Sequence, residues 1–98
     1  MSDKLTKTQI KKADKIFRDW WKKQGYEGHG DPLELRENWL DFYHGKYTYD
    51  AVWINESWGG YGGWIDQLDN SSEVNEKLKK IGLYYEPYSS WCLTVAKL

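Results

Sequence analysis

Seven tryptophans have to be placed in a chain of only 98 residues, and eight tyrosines with them. Each indole is bulky and carries an N–H that needs a partner when it is buried. A chain of this length makes one domain with a single core, so the reading is a single globular domain over residues 1–98. One small core does not comfortably take all seven rings, and some are expected at the surface, where Trp and Tyr dominate binding hot spots. Disorder is not expected despite 30% charged residues, because the apolar surface to be hidden is large.

Several classes are set aside early. Cys92 is the single cysteine, which excludes a disulfide framework and fits a reducing compartment. No continuous apolar run stands near Met1, so a secretory signal is not expected, and no run is long enough for a membrane span. Charge is segregated: residues 1–24 carry net +5, residues 25–75 net −8 and residues 76–98 net +2, within an overall −1. Such asymmetry suggests a dipolar surface.

The first helix is marked by a capping box at Thr6-Lys7-Thr8-Gln9, with Leu5 and Ile10 as its hydrophobic staple. Ile10, Ala13, Ile16, Phe17, Trp20 and Trp21 recur at helical spacing, and Gly25 can cap the end. A second helix is predicted from the Asp31-Pro32-Leu33-Glu34 start, with Leu35, Trp39 and Phe42 on one stripe and His44-Gly45 at its close. The short loop between them predicts a helical hairpin. From Tyr47 the period becomes two: Tyr47, Tyr49, Ala51 and Trp53 face one way, Thr48, Asp50, Val52 and Ile54 the other. Ile65–Leu68 reads equally as a strand or a helical turn. A third helix carries Val74, Leu78 and Ile81, and strands follow at Leu83–Tyr85 and Trp91–Ala96. The predicted class is α+β, order α-α-β-(loop)-α-β-β, with helices on one face of a small antiparallel sheet.

The most distinctive run is Trp58-Gly59-Gly60-Tyr61-Gly62-Gly63-Trp64. Its glycines would let the backbone approach a ligand and its rings stack on a planar group. It lacks the Lys-Ser/Thr of a phosphate loop and the spacing of a dinucleotide fingerprint. The competing reading folds both tryptophans back onto the core. Trp20, Trp39, Trp53 and Trp91 are the expected core rings. Trp58, Tyr61 and Trp64 are the expected exposed anchors, with Asp50, Glu56, Asp66 and Asp69 as charges around them.

Cys92 alternates with Trp91 and Leu93, which predicts a buried, inert thiol. His44 reads as a helix-end cap and His29 as a loop residue. No nucleophile–base pattern, metal-ligand spacing or cofactor loop is present, so no enzymatic activity, metal or cofactor is expected. The first helix places Lys4, Lys7, Lys11, Lys15, Lys22 and Lys23 partly on one face. Asp3, Asp14 and Asp19 interleave with them, so a solvated face is expected rather than a nucleic-acid contact.

The expectation is a noncatalytic binding protein that engages a protein partner through an acidic, aromatic surface. Such a surface can imitate nucleic acid towards a basic groove. In size, composition and missing catalytic motifs the chain resembles the small accessory proteins of bacteriophages, some of which inhibit host defence. That likeness implies an inhibitor in the host cytoplasm. A second expectation is a nucleotide-like small molecule sandwiched by the Gly-rich loop. A third is a homo-oligomeric assembly protein.

Overall fold

The computed structural model describes residues 4–26, 30–40, 48–58 and 62–98. Helix α1 (Lys7–Lys23) opens with the expected capping box. Thr6 Oγ1 accepts the Gln9 N–H at 3.0 Å, and Gln9 Oε1 accepts the Thr6 N–H at 2.9 Å. Ile10, Ala13, Phe17, Trp20 and Trp21 form its buried stripe. The helix ends where Gly25, at φ +79, donates its N–H to the Lys22 carbonyl, a left-handed turn that a Cβ would resist.

The predicted second helix does not form. Glu34–Leu40 is instead strand β1, paired antiparallel with β2 (Thr48–Ile54) from Glu34↔Ile54 to Leu40↔Thr48. There is accordingly no helical hairpin, and Asp41–His44 of the expected helix lie outside the described residues. The physical reason lies in β2, whose Ala51, Val52, Trp53 and Ile54 are all buried. A strand buried on both faces must pair its backbone groups along both edges. β1 supplies one of those edges, and this overrides the helical spacing of Leu35 and Trp39.

Ile65–Leu68 falls in the short helix α2 (Trp64–Asp69), followed by α3 (Ser72–Lys80), β3 (Leu83–Pro87) and β4 (Cys92–Lys97). The four strands form one antiparallel sheet in the order β1-β2-β4-β3. The α+β class is as predicted, with chain order α-β-β-α-α-β-β. Among the described residues three pairs join β2 to β4, Val52↔Thr94, Trp53↔Leu93 and Ile54↔Cys92, and the Asn55 N–H extends the ladder to the Trp91 carbonyl. At the end of that ladder Thr94 Oγ1 donates to the Ala51 carbonyl at 2.7 Å.

Helices α1–α3 cover one face of the sheet around Phe17, Trp53, Trp64, Leu68, Val74, Leu78, Leu83 and Leu93. Phe17 and Trp53 have ring centroids 4.8 Å apart, and Trp53 Nε1 donates to Asp14 Oδ1 at 2.9 Å. On the other face Val52, Ile54 and Cys92 pack with Trp39, Tyr49, Tyr88 and Trp91. Among the described residues this second cluster draws on strands and the β3–β4 turn, not on a helix. Tyr49 was expected to share a face with Ala51 and Trp53, yet it joins Val52 and Ile54. The break in alternation lies opposite Asn38, whose φ of +53 re-aims the chain between the pairs Glu37↔Ala51 and Trp39↔Tyr49. Among the described residues no helix is long and apolar enough to cross a membrane.

Candidate functional site

The Gly-rich run is where the sequence places its anchors, and the structure packs both described tryptophans of that run inward. Trp64 is fully buried at the start of α2 and stands edge-to-face with Trp21, ring centroids 5.6 Å apart. Its indole N–H donates to the Asn55 carbonyl at 3.0 Å. Trp64 is a core residue and not an exposed anchor. The ring packs with Ile65 and Leu68 on the buried side of α2, and it meets Trp21 of α1 and the residue after β2. Trp58 is half-buried, 4.9 Å from the ring of Tyr26, and its backbone N–H donates to Asn55 Oδ1 at 2.8 Å. Tyr61 lies outside the described residues, as do His29 and His44.

The four expected carboxylates serve separate places. Asp50 Oδ2 accepts the Leu5 N–H at 2.8 Å and ties down the approach to α1. Asp66 Oδ2 accepts the Gly62 N–H ahead of α2. Asp69 Oδ1 accepts the Tyr85 hydroxyl at 2.6 Å. Burial first, and this bond second, push the Tyr85 phenol well above its usual range. Glu56 is exposed and lines a concave surface together with Trp39 and Trp91.

That surface is a groove of about 670 Å³ where the first residues of β1, the end of β2 and the start of β4 converge. Trp39, Ile54 and Trp91 line it with Asn55, and Asp31, Glu34 and Glu56 supply carboxylates. Trp39 and Trp91, expected in the core, are half-buried on the second face. Trp39 continues into an aromatic triangle with Tyr88 at 5.3 Å and Tyr49 at 6.1 Å, while Tyr49 and Tyr88 are 5.7 Å apart. Two guanidiniums also line the groove, and both are engaged. Arg36 makes a two-point pair with Glu34 at 3.0 and 3.2 Å, which holds its pKa above the usual value. Arg18 donates to Asp14 Oδ2 at 2.9 Å and to the Leu33 carbonyl at 3.0 Å. The rim is therefore acidic on balance, through Asp31 and Glu56.

Asn55, which sequence reasoning did not single out, holds this corner together. It is 2% exposed, and Nδ2 donates to the Asp31 and Pro32 carbonyls at 2.6 and 3.1 Å. Its backbone N–H donates to the Trp91 carbonyl at 3.0 Å. Cys92 lies beneath, its thiol pushed up to about 12 by burial, and is a packing group as expected. Among the described residues no group of His, Cys, Asp or Glu is arranged to hold a metal ion. Compared with protein-family models, with curated proteins and with solved structures, the chain matches none.

Proposed function

We propose that this chain is a noncatalytic binding protein whose contact surface is the groove beside Trp39 and Trp91, and whose partner is a protein presenting a basic segment. The supporting observation is that partly exposed rings line a concavity whose rim retains Asp31 and Glu56 after Arg36 and Arg18 are paired internally. Half-buried tryptophans are the residue type that anchors interfaces, and a carboxylate rim steers a basic partner and suppresses acidic ones. A partner whose basic surface handles nucleic acid would be blocked by such contact, which is the action of an inhibitor.

The test compares wild type with Glu56→Lys and Trp91→Ala against a partner isolated by affinity capture and then purified. Glu56→Lys should weaken binding by about tenfold, or about 1.4 kcal/mol, mostly through slower association that loses its salt dependence. Its melting curve should match wild type, since Glu56 is exposed. Loss of binding with Tyr61→Ala, and none with Glu56→Lys or Trp91→Ala, would return the contact surface to the Gly-rich run and overturn the proposal.

A further inference from the structure

Helix α1 exposes Lys7, Lys11, Lys12, Lys15, Arg18, Lys22 and Lys23. In the sequence its aspartates interleave with these cations, but in the structure they are already committed. Asp14 binds Arg18 and the Trp53 indole, and Asp19 binds Lys15 at 2.8 Å. Lys23 bridges to Glu73 of α3 at 2.6 Å, and Glu73 also takes Lys77 at 3.1 Å. Among the described residues Lys7, Lys11, Lys12 and Lys22 form no ion pair, although the charge of Lys22 also acts on Asp19. The nearest element, α3, adds Lys79, Lys80 and the exposed Glu76.

Geometry makes three of these residues a row. At 3.6 residues per turn, Lys7, Lys11 and Lys22 fall within an arc of about 60°, and the row runs about 22 Å along the axis. A duplex is a stiff polyanion with about one negative charge per 1.7 Å of axis, so a rigid row of cations of this length finds phosphates within reach along it. Two other polyanions fit less well. Insertion into an anionic bilayer needs an apolar face beside the lysines, and the apolar stripe of α1 is already buried in the core. Single-stranded nucleic acid is held by stacking on exposed rings, and Phe17, Trp20 and Trp21 are all buried.

We infer that the solvent face of α1 is a contact surface for the phosphate backbone of duplex nucleic acid, without base specificity. The inference is independent of the groove and its partner. It is tested by fluorescence anisotropy on a labelled mixed-sequence duplex. Wild type should bind with a Kd of about 1–100 µM at physiological salt, the range of non-specific duplex binding, and log K should fall against log salt with a slope of about −3 for the three phosphate contacts of the row. Lys7→Ala, Lys11→Ala and Lys22→Ala should each make that slope shallower by about 1. The triple variant Lys7→Glu, Lys11→Glu, Lys22→Glu should lose at least about tenfold in affinity, with a far-UV circular dichroism melt matching wild type because all three side chains are exposed. Absence of salt-dependent binding, or full affinity in the triple variant, would overturn the inference. So would equal or tighter binding to a single-stranded oligonucleotide or to phosphatidylserine vesicles.

Discussion

Asn55 concentrates more hydrogen bonds than any charged residue in the groove: its side chain serves Asp31, Pro32 and Trp58, and its backbone serves Trp91 and Trp64. Replacing it by Ala strands two carbonyl oxygens and one N–H, and each buried unpaired group costs about 1–3 kcal/mol. Partial relaxation towards water lowers the sum, so Asn55→Ala should lose about 2–4 kcal/mol in urea denaturation. Asn55→Asp should do no better at neutral pH, because it sets a carboxylate against the Asp31 and Pro32 carbonyls. A midpoint within error of wild type for both variants would remove Asn55 from its structural role. Trp20 makes the contrast: its Nε1 is buried with no hydrogen-bond partner among the described residues, and its ring contributes through packing.

Among the elements, β1 carries the least expected conformation. Asn38 sits in the left-handed region at φ +53, which Asn and Gly tolerate and β-branched residues resist. Asn38→Gly should leave the melting temperature near wild type, whereas Asn38→Val should cost about 1–2 kcal/mol, or roughly 4–16 °C in a domain of this size. Identical melting of the two variants would show that the backbone there is not constrained. The same element marks the limit of what the sequence discloses. α1, α3 and the β3–β4 hairpin were legible because caps, periodicity and turn residues lie within each segment. β1 was not, because Leu35 and Trp39 satisfy a helical stripe equally well, and only the pairing demand of a distant strand decides between them. The groove was hidden for the same reason: Arg36, Trp39, Ile54 and Trp91 meet only once β1, β2 and β4 are assembled. Trp64 misled in the other direction, since flanking glycines said nothing of the space waiting between α1 and β2.

At the scale of the molecule, Glu73 joins α3 to α1 through Lys23 while also holding Lys77. Hydrogen bonds from Lys23 and then Lys77 lower its pKa below the ordinary 4.5. A depressed carboxylate contributes stability that is complete above its unfolded pKa and disappears as pH falls through the folded one. Glu73→Gln should therefore melt below wild type at neutral pH, and the gap should close in a titration carried below pH 4.5. A gap that stays constant into acid would show that the bridge adds nothing. The contribution is small in any case, since these side chains stand in solvent.

The short ladder between β2 and β4 has a consequence for how this protein breathes. β1–β2 and β3–β4 are each closed by longer ladders of their own, and three residue pairs, the Thr94 hydroxyl and the Asn55 N–H to the Trp91 carbonyl join them across the sheet. The chain is in effect two hairpins riveted at the middle and clamped by one helical layer. Because β2 and β4 are the buried central strands, local opening starts at the outer strands β1 and β3, and the rivet gives way only with the core. Trp39 and Tyr49 stand on one side of that rivet and Tyr88 and Trp91 on the other, so the groove takes its shape from both hairpins and depends on the few bonds that join them.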